Sequence, residues 1–342
     1  MRAAVLSQFG GPQVLQVLDN VGVPQCRPHE VLVRVAAAAV NPLDCRLRAG
    51  YGGELYRPQF PLVLGRDLSG EVVAMGSSAQ NFVIGTQVFG SIPPASSQGT
   101  HAEYVAVPEA HLAEKPSNLS HEEASAISFG ALAAWRALFL TGRLAKGDRV
   151  LVVGSSSSVG RAAAQLAVAK GCEVVLTRYP CKCFAVTKGK MARCVVCGEH
   201  DSKCNDNEEF GSFDVALDTV GSKHSLRHAI TLLRRGSGRY ITLHGRLPIH
   251  VGKNGLLWGG LGAAFDSTRM KALHCACDEI GYRWAMMRHD AHAFAEIVKL
   301  VQDGLLDAKT GWTLPLEDVS RAHVLVEGEK TGTGKVVLKL KA

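Results

Sequence analysis

The residues best placed to do chemistry form a turn. After the apolar run Arg149-Val150-Leu151-Val152-Val153 comes Gly154-Ser155-Ser156-Ser157-Ser158-Val159-Gly160, then a small-residue stretch from Arg161 to Lys170 that reads as a helix. A buried strand, a tight turn and a helix start form the local arrangement that cradles a pyrophosphate, because backbone N–H groups and the helix dipole both face the anion. Against the dinucleotide pattern G-x-G-x-x-G, the window Ser155–Gly160 keeps only its last glycine. Ser157 stands where a glycine allows the closest approach, while serine hydroxyls offer donors to a phosphate in partial compensation. Without a ligand, the same residues make an ordinary strand-to-helix turn of an α/β protein.

The second strand, Glu173 to Thr177, ends in Thr177-Arg178-Tyr179. An acid at this point would hold the ribose hydroxyls of NAD, whereas a guanidinium suits the additional phosphate of NADP. Between Arg178 and Cys204 lie six basic residues (Arg178, Lys182, Lys188, Lys190, Arg193, Lys203) and two acids (Glu199, Asp201), so this short stretch carries four of the chain's seven net positive charges. Both features point to NADP(H), against the alternative of a solvated basic loop. The same stretch holds Cys181, Cys183, Cys194, Cys197 and Cys204 with His200 among them. Cys194-x-x-Cys197 has the spacing of a zinc knuckle. A divergent surface segment and an aberrant reading of the gene remain open beside it.

These residues need a frame. Alternating strand and helix patterns from Arg149 to Leu243 predict a Rossmann-type doubly wound parallel sheet. The first 120 residues read instead as short strands with turn signals at Gly10-Gly11-Pro12, Asn41-Pro42 and Gly52-Gly53, a barrel-like pattern. Ser120-His121-Glu122-Glu123 is a capping box, and an Ala-rich helix is expected after it through Leu140. Phe294, Ile297, Val298 and Val301 share one helical face, and Val336 to Leu340 reads as a last strand. With 342 residues, 46% hydrophobic and 20% charged, the chain has room for about two folded domains. A net charge of +7 without a dense basic stripe argues against a nucleic-acid partner. No run of 18 apolar residues predicts a membrane span. No secretory signal opens the sequence, so the expected compartment is cytoplasmic as it stands, or mitochondrial if the N-terminus is truncated.

Asn41-Pro42-Leu43-Asp44, Gly65-Arg66-Asp67-Leu68-Ser69-Gly70 and Gly281-Tyr282-Arg283-Trp284-Ala285, with the serine-rich turn, resemble the medium-chain dehydrogenases/reductases. Within that superfamily the likeness is to the zinc-free quinone oxidoreductase branch, above all its mitochondrial reticulon-interacting NAD(P)H oxidoreductase group. The resemblance spans nearly the whole chain except roughly residues 180–210. It implies a GroES-like β-barrel domain at 1–123 completed by 289–342, and a nucleotide-binding domain at 124–288. It implies hydride transfer from NADP(H) to a quinone or an activated carbonyl or enone, and a possible homodimer. The alternative is a catalytically weak or inactive binding protein on the same scaffold.

The resemblance also assigns residues. Zinc-dependent relatives carry a catalytic Cys and a His-Glu pair, and here Asn41 and Arg66-Asp67 stand in those places. The eight residues between Gly90 and Gly99 hold no cysteine for a structural zinc. No metal ligands are therefore expected, and Arg66-Asp67 reads as an ion pair filling the old metal position. Asn41 and Asp44 are expected at the nicotinamide end, with Tyr51 as proton donor or stacking ring. Ser156, Ser158 and Val159 fit the phosphate turn, and Thr177, Arg178 and Tyr179 the adenosine-phosphate end. Val220, Leu243, Ala285 and Met287 follow strands that face the cofactor, and Thr331, Thr333 and Lys335 precede the last strand. Ala133 stands where relatives commonly place Thr, which removes a hydroxyl.

Overall fold

The computed structural model describes residues 1–56, 59–94, 96–178, 192–196, 211–245, 247–277, 279–328 and 334–340. Two compact units result: Met1–Leu132 with Arg288–Gln302 and Asp307–Ala342, and Ala133–Met287 with Asp303–Leu306.

The first unit is built on the long strand Glu30–Val40. Val31, Val33 and Val35 are fully buried, while Leu32, Arg34 and Ala36 between them are half-buried, the alternation of a strand with one face in a core. Asp67–Met75 pairs antiparallel along one edge, and Tyr104–Pro108 and Lys335–Lys339 along the other. The sheet continues as Thr310–Pro315, Lys335–Lys339, Glu30–Val40, Asp67–Met75, Gln87–Ser91 and Leu112–Glu114. A smaller sheet joins Leu15–Leu18, Ala3–Leu6 and Leu62–Val63. Leu64, Leu68, Val72, Val88, Val107, Val336 and Leu338 fill the core between them. The C-terminal strand thus closes onto a strand about 300 residues earlier in the chain, setting Val336 opposite Val40 and Leu338 opposite Ala38.

The second unit holds a six-stranded sheet in the order Ala192–Val196, Glu173–Arg178, Arg149–Val153, Val215–Asp218, Arg239–Thr242, Gly281–Trp284. Every neighbouring pair is parallel. Numbered by sequence within the sheet, this is 3-2-1-4-5-6, the doubly wound order whose switch point lies beside Arg149–Val153. Val150–Val153 and Val215–Asp218 are buried throughout, as strands covered on both faces must be.

The capping box forms: Glu123 N–H donates to Ser120 Oγ (3.2 Å) and Ser120 N–H to Glu123 Oε2 (2.9 Å). The single helix expected after it is broken. His121–Ser125 stops at Ala126, Ser128–Trp135 restarts, and from Arg136 the coil widens, with Gly142 N–H reaching back five residues to Ala137 O (2.8 Å). The run His121–Thr141 is long and apolar enough to cross a membrane, but 78% of its apolar window is buried inside the protein, as in a core helix. A helix at Leu247–Cys277, to which the sequence patterns assigned no element, precedes the edge strand Gly281–Trp284.

Candidate active site

At the switch point the strand Arg149–Val153 ends in Gly154, with φ +84°. A Cβ there would lie 2.4 Å from Thr219 Oγ1, and one on Gly160 would lie 2.4 Å from Gly154 O. Only glycine fits either position, and the turn lies tight against both its strand and its neighbour. Ser157 caps the 12-residue helix Ser158–Ala169, its Oγ accepting from Gly160 N–H (3.0 Å) and donating to Gly154 O (2.9 Å). Thr219 Oγ1, from the strand across the switch point, stands 3.0 Å from Ser157 Oγ. Sequence reasoning missed Thr219, whose only signal was its place directly after Val215–Asp218.

The N–H groups of Gly154 and Ser155 donate to Thr177 O (2.9 and 3.1 Å), and that of Ser157 to Gly154 O (3.1 Å). Those of Ser156, Ser158 and Val159 have no acceptor among the described residues. They gather at a helix N-terminus, where the dipole favours an anion. A pyrophosphate fits this cradle.

Of the other residues expected at the cofactor, those described in this unit lie along the same edge of the sheet, the C-terminal ends of its parallel strands. Thr177 is buried on Glu173–Arg178, and Arg178 ends that strand opposite Val196. Val220 N–H and Gly221 N–H donate to Asp218 Oδ1 (2.8 and 2.9 Å). Asp218 Oδ2 also accepts from Tyr240 Oη (2.6 Å) and Ser225 Oγ (2.7 Å), which holds this loop in place. Burial and then the Asp218 charge push the Tyr240 phenol up, so it stays protonated as a donor. Leu243 O accepts from Trp284 Nε1 (3.4 Å), Ala285 N–H donates to Thr242 O (2.9 Å), and Met287 is buried. Tyr179, Thr331, Thr333 and the Arg178 side chain lie outside the described residues. So do the cysteine side chains of the 181–204 stretch, of which only the backbone of Ala192–Val196 is described.

A second polar group lies inside the barrel unit. Asn41 starts the helix Pro42–Arg48, and the Asp44 carboxylate reaches back to Asn41 N–H (2.8 Å). The Asn41 side chain points elsewhere: its Nδ2 donates to Asp67 Oδ2 (3.0 Å). Asp67 also accepts from Phe129 N–H (2.6 Å) and from the Lys335 ammonium (2.5 Å). Burial pushes the Asp67 carboxyl up, and these donors pull it back. The expected Arg66–Asp67 pair is therefore corrected: Asp67 is paired with Lys335, while Arg66 donates to Gly65 O (2.9 Å) and Gln98 O (3.1 Å). Neighbours on an extended chain point to opposite sides, so the two cannot share a pocket.

Asn41, Arg66 and Asp67 do not fit a zinc ion, which needs thiolate, imidazole or free carboxylate donors, because an ammonium already occupies the one carboxylate. Among the described residues no three His, Cys, Asp or Glu side chains cluster as ligands. Asp44 Oδ1 and both ring nitrogens of His323 are buried without hydrogen-bond partners. His101 stacks edge-on against His323 (5.9 Å), and burial pushes both imidazoles down, holding them neutral. Tyr51 is half-buried just past the helix, its N–H donating to Arg46 O (2.9 Å). Asn41, Asp44 and Asp67 thus stand together, whereas the serine turn belongs to the other unit.

A mixed, largely antiparallel sheet completed by the C-terminal strand, and a parallel sheet in 3-2-1-4-5-6 order, are the two folds of the alcohol-dehydrogenase type of oxidoreductase. Residues 27–117 match the alcohol dehydrogenase GroES-like domain, and residues 195–338 match the zinc-binding dehydrogenase family. The chain belongs to the medium-chain dehydrogenase/reductase superfamily of oxidoreductases. It is 31% identical over 346 residues to the mitochondrial NAD(P)H oxidoreductase RTN4IP1 of Mus musculus, covering 96% of this chain and 86% of that one. The quinone oxidoreductase of Homo sapiens is 28% identical, with 99% and 98% covered. Among solved structures, an NAD-dependent alcohol dehydrogenase superposes with TM-score 0.78 at 29% identity over the full length of both chains. The quinone oxidoreductase from Coxiella burnetii shares the fold, with TM-score 0.76 at 24% identity over 100% and 99% of the chains.

Proposed function

We propose that the chain is a zinc-independent, NADPH-dependent reductase acting on a quinone or on an activated carbonyl or enone. The observation that carries this reading is the trio of N–H groups on Ser156, Ser158 and Val159, without an acceptor among the described residues, at the switch point. A bound nicotinamide supplies the hydride. The chain supplies the rest. The three amides and the helix dipole hold the pyrophosphate, and Thr177, Arg178 and Tyr179 take the adenosine ribose with its extra phosphate. Val220, Leu243, Ala285, Met287, Thr331 and Thr333 shape the remainder of the cofactor site. Asn41 and Asp44 are assigned to the nicotinamide end, their side chains tied into the buried Asp67 network and the helix start. The Tyr51 hydroxyl gives a proton to the oxyanion that develops on the substrate, being the member of this set that is not fully buried. Lys335 supports zinc independence by neutralising Asp67 without a metal.

The test is oxidation of NADPH with a quinone acceptor, with and without a chelator, beside elemental analysis of the same sample. Full activity in zinc-free protein is expected. Activity that returns only with zinc refutes the zinc-independent reading, and no turnover with any quinone or enone refutes the reductase.

A second reading, a catalytically weak binding protein, is favoured by Ser157, whose side chain takes the Gly160 N–H away from the phosphate cradle. We assign the chain to the mitochondrion, with the mitochondrial NAD(P)H oxidoreductase RTN4IP1 of Mus musculus, and to a homodimer, testable by localisation and by sedimentation.

A further inference from the structure

Two helices of the barrel unit pack together with ionisable side chains one turn apart. Asp44 and Arg48 are four positions apart on Pro42–Arg48, and His323 and Glu327 four apart on Val319–Glu327, so each pair shares a helix face. Arg48 donates to the Glu327 carboxylate and, through Nε, to Gly10 O (3.1 Å), and the Cys45 thiol donates to His323 O (3.8 Å). The edge-on contact with His323 brings in His101, and Thr100 comes with it. A Cβ on Gly65 would lie 2.4 Å from both Thr100 Oγ1 and His101 Cδ2. All of these residues belong to one unit.

This group is buried and short of partners. Asp44, Arg48, Thr100, His101 and His323 are each at most 2% exposed. Six of their polar atoms have no hydrogen-bond partner among the described residues: Asp44 Oδ1, Arg48 Nη1, Thr100 Oγ1, His101 Nδ1 and both ring nitrogens of His323. A buried polar group left unpaired costs more than a made hydrogen bond returns, and six together would rival the whole stability of a domain. A buried water makes about three hydrogen bonds, so about two waters satisfy the set. The set is mixed in kind: the Arg48 guanidinium only donates, the Asp44 carboxylate only accepts, and a hydroxyl and neutral imidazoles do both. Burial, and then His101 and Arg48 beside it, push His323 down to about 2, and burial pushes His101 down, so both rings stay neutral. His101 Nε2 stands 3.5 Å from Ala39 O, which leaves Nδ1 as an acceptor, whereas His323 is open at both nitrogens.

We propose that Asp44, Thr100, His101 and His323 bind a short chain of water molecules that carries a proton from the Arg48–Glu327 pair to the Asp44 end of the site. The Glu327 side chain is 39% exposed and that of Arg48 2%, so the pair reaches from solvent to the cluster. Asp44 marks the other end, because its second oxygen accepts the N–H of Asn41 (2.8 Å). The inference rests on the reductase reading, which needs one proton from solvent for each hydride. The substrate carbon gains a C–H bond from the bound nicotinamide, the substrate oxygen gains the Tyr51 proton, and the water chain returns a proton from solvent to the Tyr51 phenolate. His323 accepts a proton at one nitrogen as it gives up the proton on the other, and His101 and Thr100 anchor the waters.

Water magnetic relaxation dispersion and turnover, both on the full chain, test the two halves of this. His323→Phe keeps a ring without polar atoms, and about two long-lived waters should disappear with NADPH affinity unchanged. The same variant should lower kcat about tenfold and raise the solvent deuterium isotope effect on kcat. His323→Gln keeps a donor and an acceptor and should restore most of both. Glu327→Gln keeps an acceptor for Arg48 but carries no proton, so it should lower kcat severalfold with KM and the water signal unchanged. It also carries the test if His323→Phe does not fold. The same water signal in wild type and His323→Phe overturns the water chain. A lost water signal with kcat and isotope effect unmoved, or wild-type kcat in Glu327→Gln, overturns the relay alone. A wild-type chain that turns over no quinone or enone is instead the failure of the reductase reading, and the relay falls with it.

Discussion

Lys335→Met removes the ammonium from Asp67, a side chain with no solvent exposure. Breaking a buried pair from one side costs about 3–5 kcal/mol, because the remaining charge is left uncompensated in a low-dielectric interior. Asp67 keeps the Asn41 amide (3.0 Å) and the Phe129 N–H (2.6 Å), which places the expected loss near the lower end, about 3 kcal/mol. Methionine retains the apolar stem, so the loss reports the charge rather than a cavity. The double variant Asp67→Asn/Lys335→Met removes both charges and keeps one carbonyl oxygen, an acceptor for one of the two N–H donors that now share Oδ1 and Oδ2. It should recover about 2 kcal/mol of the loss, a coupling typical of residues in one network. Urea unfolding at neutral pH, followed by circular dichroism, measures both. A loss under about 1 kcal/mol for Lys335→Met, or a double variant no better than the single, refutes the argument that this ammonium neutralises Asp67 in the place of a metal.

Gly160→Val places a Cβ 2.4 Å from Gly154 O, so it should displace the helix start and weaken NADPH at least tenfold in a fluorescence titration; unchanged affinity counts against the turn as the phosphate site. Arg178→Ala should weaken NADPH more than NADH, and equal effects on the two would remove the assignment of Arg178 to the extra phosphate. His289, stacked on His111 at 4.0 Å, is pushed down to about 4 by burial and by that neighbour. It is neutral in the fold and gains a proton more readily when unfolded, so its contribution is intact above about pH 6.5 and is lost as pH falls towards 4. Discounted for its partial exposure, the loss is about 1 kcal/mol. The melting temperature should fall over that window, and fall less in His289→Gln; the same slope in both proteins excludes this pair as the cause. Ser120→Ala should cost about 1 kcal/mol through the lost cap, measured by the urea midpoint, and no change would mean the capping box contributes nothing.

What could be read from the sequence is local in the chain. The strands at Arg149–Val153, Val215–Asp218 and Arg239–Thr242 announce themselves as apolar runs, and Ser120 with Glu123 lies within one turn. The alternation of these elements implies the parallel sheet, and the helix start after Ser157 implies which amides are left over. The Asp67–Lys335 pair could not be read this way. Its members are 268 positions apart, and they meet because the last strand registers against Glu30–Val40. The adjacent Arg66 offered a nearer cation, but adjacency on an extended chain separates side chains. Thr219 has the same origin: its hydroxyl reaches Ser157 across two parallel strands. The break at Ala126 and the widened coil after Arg136 lie in a stretch that is apolar nearly all round, so no periodicity marks them.

The affinity for NADPH tests the central claim most directly, followed by the fluorescence of the reduced nicotinamide as protein is added. Three amides without an acceptor among the described residues, at a helix N-terminus beside a glycine-tight switch point, predict saturable one-to-one binding that Gly160→Val weakens at least tenfold. No binding at high micromolar NADPH, in protein that is folded by circular dichroism, would contradict it.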